Sequence, residues 1–452
     1  MFLSIGFDVF MNKNIRIYIC SCLYGLGIGL IFNLYVYYLH DVEKLMPTRI
    51  AKLTQLLSLN FPDAIKYLTE HPDHMTSYYL YQRQYGSIFG IDSPVDIMQQ
   101  IWVWMFTIVF SIITVFSWYK YQSKKLTLFS PIIFGFLTKA VVISHHDDCT
   151  WFLAWAVYAI LPFIIIFYDK CSFFIENESY MSILLITSII AILIGVSNVG
   201  RLHSGLAILL VLIYIIALFC HRICDKKKSF LVGLLSALIM FNGYSLFTST
   251  IPNNLMRMYG INSNINYFGP WHTLYIGLGW KNSISQLSML RECDDMEAWK
   301  TDKNPKNIIY LDECADTFVK SKDSAIPYIS ESYFEVLKAE YMRILTENTG
   351  WVILNYVEKI LVCICYVIYA QWRLLLIVSL IGLILKRKHI LQLSSKFMYF
   401  STMFIMCVNL VFGIIAIPSS GYLQGSMAAL SIGMFFLIMD IFSSLLNSKR
   451  GV

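Results

Sequence analysis

The stretch His145-His146-Asp147-Asp148 places four ionisable side chains next to one another, between two long apolar runs. Ionisable groups are costly in hydrocarbon, so at the edge of a membrane segment they indicate a functional site by default. A carboxylate or an imidazole at such a place can take up or release a proton. Metal binding is the weaker prediction, because adjacent residues cannot all point at one ion and no His-x-x-x-His spacing is present. The metal therefore stays unknown, with Mg²⁺ or Mn²⁺ as the candidate ions.

Other residues with useful chemistry stand at similar places in the chain. Asp41 and Glu43 directly follow the first apolar run, and arginine is suited to anions because it donates two hydrogen bonds in a fixed plane. Each of these residues also has a structural alternative, such as a solvated loop carboxylate or an arginine that reaches out of the membrane edge. The remaining candidates are Arg201 and His203 in "NVGRLHS", Arg257, His272 and Tyr275 (the last two in "FGPWHTLYIGLGW"), and Lys359.

The composition identifies the setting of these residues. The chain is 57% hydrophobic and 14% charged, with a mean hydropathy of +0.60, whereas soluble domains carry about 25% charged residues. These values predict an all-α polytopic membrane protein. The net charge of +6 suits basic cytoplasmic loops and gives no reason to predict a nucleic-acid partner.

The apolar windows predict about ten transmembrane helices, because a spanning helix needs roughly 20 mostly apolar residues. The first window has no small-residue cleavage site before it and is predicted to be an uncleaved helix. The windows lie at 16–38, 98–118, 126–144, 150–168, 181–198, 204–222, 229–248, 372–387, 396–417 and 425–446.

The distribution of lysine and arginine predicts the orientation. With the N-terminus inside, four of the five inner segments are plainly basic, as in "CHRICDKKKS" and "KRKH". The outer segments are then 39–97, the His145–Asp148 turn, "NVGRLHS", a large loop at 249–350 and "IPSSGY". Most of the candidate residues therefore share the outer face.

Three segments need separate predictions. Residues 351–373 are apolar, but Glu358 and Lys359 interrupt them, and a further crossing would place the last basic loops outside, so we predict an interfacial or shallowly re-entrant helix. In 39–97, apolar residues at helical spacing are broken by Pro47 and Pro62, which predicts two short amphipathic helices at the outer surface. Asp440, inside the last span, is predicted to pair with another polar group.

These predictions divide the chain into three parts. Residues 1–248 form an N-terminal transmembrane module of about seven helices, 249–371 the large outer loop with its interfacial helix, and 372–452 a C-terminal module of three helices. Cys293 and Cys314 lie in the large outer loop and could form a disulfide in an oxidising compartment. Nothing in the sequence fixes their separation.

The order of these features resembles the C-type fold class (GT-C) of polytopic glycosyltransferases, which take sugars from polyprenyl-phosphate donors. The resemblance is carried by the acidic residues Asp41 and Glu43, the acidic turn at His145–Asp148, and "RLHSGLAILL" followed by a large outer loop. That loop holds "PWHTLYIGLGW" and "YFEVLKAEYMRILTENTGWVILNYVEK", blocks associated with bacterial members of this class. Only the WHTLYIGLG block is specific in sequence. The acids are spaced "DVE" rather than adjacent, and the sequence predicts no C-terminal outer domain of the kind that many members of the class carry.

The resemblance implies an enzyme of the cell envelope, such as one that modifies a polysaccharide or an O-antigen, in a bacterial inner membrane with its active site facing the periplasm. Sugar transfer requires a base for the acceptor hydroxyl and cations for the leaving phosphate. The catalytic candidates are Asp41, Glu43, His146, Asp147 and Asp148, and either Asp41 or Glu43 could be the base. The candidates for binding the donor phosphate or substrate are His145, Arg201, His203, Arg257, His272, Tyr275 and Lys359.

The implied partners are a polyprenyl-phosphate sugar, a glycan or glycolipid acceptor and membrane lipid, with no certain cofactor. A polymerase or ligase of lipid-linked glycans would share this topology. A transporter or flippase is the non-enzymatic alternative, although such proteins usually contain internal repeats and broken spans around a central path. A membrane acyltransferase could use His145 or His146 as its base, but its donor would usually arrive from the inner side.

Overall fold

The computed structural model describes residues 13–39, 47–70, 76–143, 151–201, 203–259, 270–278, 308–328, 330–385, 393–416 and 422–448. These parts are helical and contain no β-strand, which confirms the prediction of an all-α protein. The helices are α1 (Lys13–Leu39), α2 (Pro47–Ser58), α3 (Phe61–Glu70), α4 (Thr76–Phe89), α5 (Pro94–Tyr121), α6 (Lys124–Ile143), α7 (Trp151–Asp169), α8 (Cys171–Glu176), α9 (Tyr180–Ser197), α10 (Leu206–Arg222), α11 (Lys226–Ser245), α12 (Ile251–Met258), α13 (Pro270–Leu278), α14 (Ile308–Lys322), α15 (Glu331–Glu347), α16 (Thr349–Leu385), α17 (Leu393–Ile415) and α18 (Gln424–Ser448).

Eight helical segments in the described ranges are long and apolar enough to cross a membrane. They confirm a multi-pass integral membrane protein, and α10 is a shorter apolar helix beside them. The count of ten crossings stays a prediction. The eight segments are Ile15–Val36, Pro94–Tyr121, Trp151–Asp169, Tyr180–Ser197, Lys226–Met258, Thr349–Tyr369, Lys396–Ile415 and Gln424–Leu446.

Side chains at the helix ends explain several of the boundaries. The Asp225 carboxylate accepts hydrogen bonds from the backbone N–H groups of Lys227 and Lys228 at 2.8 and 3.3 Å and so begins α11. In the same way the Ser93 hydroxyl accepts from the N–H of Asp96, directly before Pro94 in the first turn of α5. Such caps satisfy N–H groups that have no partner within the helix.

Helix α16 differs from the prediction of an interfacial helix over 351–373 that leads into a separate span. Its 37 residues form one unbroken helix about 55 Å long, longer than the ~30 Å hydrocarbon layer. Its Thr349–Tyr369 part is itself apolar enough to cross. The boundary predicted at 371 therefore falls inside one helix.

The segment after α1 contains three helices, α2, α3 and α4, where two were predicted. Pro47 begins α2 and Pro62 is the second residue of α3, positions where proline's missing N–H costs nothing. Buried Arg83 of α4 holds the layer together, because its guanidinium donates to the Leu56 and Leu59 carbonyls at 3.1 and 2.7 Å. These carbonyls lie at the end of α2, where a cation is favourable.

A π-helical turn, Leu246–Thr250, joins α11 to α12. Such a turn bonds residue i to i+5 and disturbs the regular backbone pattern. Two carbonyls of this turn accept from α4: the Phe247 oxygen from the Tyr81 hydroxyl at 2.9 Å, and the Thr248 oxygen from the Ser77 hydroxyl at 2.8 Å. Helix α4 thus supplies donors to the π-helical turn, and burial raises the pKa of Tyr81 to about 12, so its hydroxyl stays a donor.

Helices α9 and α11 approach closely at two glycines. A Cβ added at Gly195 would lie 2.2 Å from the Gly243 carbonyl oxygen, and one at Gly243 would lie 2.6 Å from the Ala191 Cβ. Small residues let membrane helices pack backbone to backbone, which replaces the hydrophobic driving force that lipid removes.

Gly195→Ala is therefore expected to destabilise the protein by about 1–3 kcal/mol, because a backbone carbonyl cannot move aside as a side chain can. The measurement is the thermal unfolding midpoint of purified protein in lipid nanodiscs. Gly27→Ala is the matched control, since a Cβ at Gly27 would meet nothing within 4 Å. Equal midpoints for the two variants would contradict the close contact of α9 with α11.

The predicted partner of Asp440 is also present. Tyr121 of α5 and Tyr399 of α17 donate their hydroxyls to the Asp440 carboxylate of α18 at 2.9 and 3.1 Å. Nearby along α5, Lys120 pairs with Asp169 of α7 at 3.2 Å. The half-buried carboxylate thus ties the two C-terminal helices to the N-terminal module.

Candidate functional site

Six of the predicted catalytic and binding residues lie outside the described residues. They are Asp41, Glu43, His145, His146, Asp147 and Asp148. Cys293 also lies outside the described residues, as does the side chain of Cys314. The structure therefore bears on the remaining candidates: Arg201, His203, Arg257, His272, Tyr275 and Lys359.

The turn between α9 and α10 holds Arg201 and His203 in a defined position. Asn198, only 1% exposed, accepts at Oδ1 from the N–H of Gly205 at 2.9 Å and donates at Nδ2 to the Tyr244 carbonyl at 3.3 Å. One amide side chain therefore fixes both ends of the turn and ties it to α11.

The same turn packs on the start of α7. A Cβ at Gly200 would lie 1.9 Å from Phe152 Cδ2, so glycine is needed for this contact. Phe152 in turn lies edge-on to Tyr78 of α4, with ring centroids 5.4 Å apart. Helix α7 thus supports the turn directly, and α4 supports it through Phe152.

Both predicted side chains of the turn contact the α17–α18 region. The Arg201 guanidinium lies over the Tyr422 ring, 5.1 Å from its centroid, a cation–π arrangement. The His203 ring lies 4.1 Å from that of Phe412 on the last turns of α17. We call Arg201, His203, Phe412 and Tyr422 the Arg201 cluster. Its residues come from the connection between α9 and α10 and from the connection between α17 and α18.

Lys359 of α16 is fully buried. Its ammonium donates to the Gly277 carbonyl and, at 2.6 Å, to the Ala416 carbonyl, and it lies 5.2 Å from the Tyr356 ring centroid. The N–H of Ala416 donates to the Phe412 carbonyl at 3.0 Å, which links this arrangement to the Arg201 cluster. We call Lys359, Gly277 and Ala416 the Lys359 clasp.

The positions of Gly277 and Ala416 explain how Lys359 can be buried. Gly277 and Ala416 stand at the C-terminal ends of α13 and α17, where the helix dipole is negative. The two helix ends approach closely: a Cβ at Gly277 would lie 2.0 Å from the Ile415 carbonyl oxygen. Since two of the three ammonium N–H bonds are used in this way, Lys359 suits holding α13 on α17 better than the predicted binding of phosphate.

His272 and Tyr275 belong to a separate small core built from α13, α14, α15 and the start of α16. His272 is 4% exposed, and its Nδ1 lies 2.9 Å from the Tyr333 hydroxyl. Tyr275 stacks on Phe318 with centroids 5.6 Å apart. Both predicted residues therefore pack inside this core, and the Lys359 clasp connects the core to the bundle.

Arg257 has a different environment. It is exposed near the end of α12, and its near neighbour Tyr259 packs edge-on to Phe61 of α3 at 5.4 Å. The Arg83 guanidinium covers the same Phe61 ring at 5.1 Å. Arg257 thus belongs to the side formed by α2, α3 and α4, apart from the Arg201 cluster.

A pair of buried amides near the start of α18 was not predicted from the sequence. Gln424 and Asn409 are both 0% exposed. Asn409 donates to the Ile405 carbonyl at 2.9 Å, while neither polar atom of the Gln424 amide has a hydrogen-bond partner in the part of the chain that the structure describes. Their only sequence signal was a glutamine at the entrance to an apolar run, "YLQGSMAAL".

Within the described ranges, no group of three or more His, Cys, Asp or Glu side chains could hold a metal ion. The Arg201 cluster instead combines one arginine and one imidazole with two aromatic rings at the end of a helix bundle. A cation with aromatic neighbours in such a place can attract an anionic group that carries a lipid tail.

Comparison with known proteins gave no relative: no family model, no curated protein and no solved structure matches this chain. The resemblance to the GT-C class therefore depends on the sequence blocks alone.

Proposed function

We propose that this protein is an integral membrane glycosyltransferase. It would move a sugar from a polyprenyl-phosphate donor to an envelope glycan or a lipid-linked acceptor at the outer face of the membrane. The observation that carries the proposal is the Arg201 cluster, in which an arginine is positioned by a buried turn at one end of the bundle. An arginine held there suits the phosphate of a lipid-linked donor.

The positions of the candidate acids along the sequence support the same proposal. The candidate acids Asp147 and Asp148 precede Trp151, the first residue of α7, by only a few residues. The second residue of α7, Phe152, contacts Gly200, the direct neighbour of Arg201. Asp41 and Glu43 follow the end of α1 just as closely. An acid for the acceptor and a cation for the phosphate are the two requirements of the reaction.

The test is purified protein in lipid, assayed with a polyprenyl-phosphate sugar, with binding and turnover measured separately. Transfer of sugar to a glycan acceptor supports the proposal. Turnover with a lipid-linked oligosaccharide but not with a monosaccharide donor would favour the polymerase or ligase. Movement of the lipid-linked sugar between leaflets without any transfer would favour the flippase.

Arg201→Ala is expected to weaken donor binding about tenfold or more, because the phosphate loses a charge-assisted bond worth about 1.5–3 kcal/mol. Binding is measured by tryptophan fluorescence or by competition with a labelled donor. Arg343→Ala is the control, since Arg343 lies on α15 and pairs with Glu340 at 2.7 Å. Equal losses in both variants would contradict a specific role for Arg201.

The orientation gives a further prediction. A topology reporter fused near Asp295 is expected to read as outside, and one fused near Lys227 as inside, because the basic segments fix the inner face. The measurement is the paired activity of a reporter active outside and one active inside. If both fusions read on the same side, the predicted outer face is wrong and the candidate residues are divided between two compartments.

A further inference from the structure

Helix α18 begins at Gln424, close to the Arg201 cluster. Its 25 residues give it a full dipole, with about half a positive charge at the N-terminus. The N–H of Met427 donates to the Leu423 carbonyl at 2.9 Å, which marks the first helical hydrogen bond. The N–H groups before it have no partner within the helix.

The Gln424 side chain is the second, independent observation. It is fully buried, and among the described residues neither its Nε2 nor its Oε1 has a hydrogen-bond partner. A buried amide without partners is unfavourable, and a ligand that pairs with it removes that cost. The Cα–Cβ bonds of a helix tilt toward its N-terminus, and Gln424 is the first residue of α18, so its side chain begins at the helix end.

Two positive groups meet at this end of α18. Arg201 lies over Tyr422, two residues before the first residue of α18, so a guanidinium and a helix N-terminus lie close together. The next polar side chain of the first turn, Ser426, donates to the Met406 carbonyl at 2.9 Å. The one acidic residue of α18, Asp440, stands sixteen residues away, or roughly 24 Å along the helix, and holds two tyrosines instead.

An anion placed between two positive groups is attracted by both of them. The helix N-terminus supplies N–H groups, Gln424 supplies a side-chain N–H, and Arg201 supplies a charged donor. This set is typical of phosphate sites at helix N-termini.

We propose that the N-terminus of α18, together with Gln424 and Arg201, binds the phosphate of the lipid-linked donor. The inference rests on the proposed function, and it names Gln424 as a binding residue that the sequence motifs do not include. A free phosphate has the same chemistry, so the probes must distinguish the two sources.

The experiment measures binding of farnesyl phosphate, farnesol and inorganic phosphate to the full protein in nanodiscs. The wild type is expected to bind farnesyl phosphate and not farnesol. Gln424→Met keeps the length of the side chain and removes the amide, and is expected to weaken binding about tenfold. Gln424→Glu adds a negative charge at the same place and is expected to weaken it about 100-fold.

Gln424→Glu separates binding from folding, because an acidic residue at a helix N-terminus stabilises the helix. The matched control is Ser401→Ala in the first half of α17. It removes another fully buried polar group that has no hydrogen-bond partner among the described residues. The control is expected to bind as the wild type does. If Gln424→Glu does not fold, Gln424→Met decides the question alone.

The inference is overturned if Gln424→Met binds farnesyl phosphate as tightly as the wild type. It is also overturned in its lipid part if inorganic phosphate binds as tightly as farnesyl phosphate. A sugar-transfer assay keeps the two proposals apart. If the Gln424 variants transfer sugar as the wild type does, the proposed phosphate site is wrong and the proposed enzyme activity stands. If farnesyl phosphate binding depends on Gln424 but no sugar is transferred, the proposed enzyme activity is wrong and the site stands.

Discussion

Asp41→Asn is expected to keep donor binding and to lower turnover by about 10²- to 10⁴-fold, the usual contribution of a general base. The acceptor hydroxyl must lose a proton as it attacks the sugar, and an amide of the same shape cannot accept that proton. Asp41 follows the end of α1 by two residues in the sequence, and Glu43 follows it by four. We therefore expect the loss to be larger for Asp41→Asn than for Glu43→Gln.

The measurement is single-turnover transfer in lipid, with binding of the donor followed in the same samples. Asp96→Asn is a suitable control, since Asp96 lies in the first turn of α5 near the end of the same segment. If Asp41→Asn and Glu43→Gln both turn over at the wild-type rate, the base lies elsewhere. Asp148→Asn would then be expected to abolish transfer while protein levels in the membrane stay normal.

Lys359→Met should loosen the core of α13, α14 and α15 from the bundle while changing donor affinity little. The substitution leaves the Gly277 and Ala416 carbonyls buried without their donor, and an unpaired buried carbonyl costs about 1–3 kcal/mol. Part of this cost is offset, because the wild-type protein must bury the charge of Lys359 and methionine carries no charge. Amide hydrogens of Tyr275 to Leu278 are therefore expected to exchange about 10- to 100-fold faster.

This variant distinguishes a clasp from a ligand for phosphate. Lys320→Met is the control, an exposed lysine on α14 that pairs with Asp316 at 2.5 Å. Hydrogen exchange measured by mass spectrometry reports on the clasp, and farnesyl phosphate binding reports on the phosphate. A large loss of binding with unchanged exchange would assign Lys359 to the phosphate and contradict the clasp.

Hydropathy predicted the class of fold because a membrane leaves a chain little choice. Each backbone polar group must be satisfied within its own segment, which makes long apolar runs helical. The pairing of Asp440 was predictable for the same reason, since a carboxylate inside a span needs a donor.

The prediction for residues 351–373 differed because it treated Glu358 and Lys359 as a break in the apolar run. Lys359 is instead satisfied by Gly277, 82 residues earlier in the chain, and by Ala416, 57 residues later. Hydropathy along the chain does not contain such contacts. The same limit explains Gln424, whose burial depends on where the end of α18 lies in the folded bundle.

For the candidate site, residue type predicted Arg201 and His203, and the structure brings both against α17 and the start of α18. It does not bring Arg257 to them, because the side chain lies beyond the π-helical turn, on the side of α2 to α4. Sequence motifs name reactive side chains, whereas their grouping depends on helix packing.

The π-helical turn Leu246–Thr250 determines how far the residues that follow it are rotated about the helix axis. A turn that bonds i to i+5 accommodates one residue more than a regular one, and one residue corresponds to about 100° of rotation. Deleting one residue there would let α11 and α12 close into a regular helix, withdraw two carbonyls from Ser77 and Tyr81, and turn Arg257 by about 100° around the axis. The single extra residue therefore sets the direction in which the end of α12 faces, while α11 keeps its packing against α9.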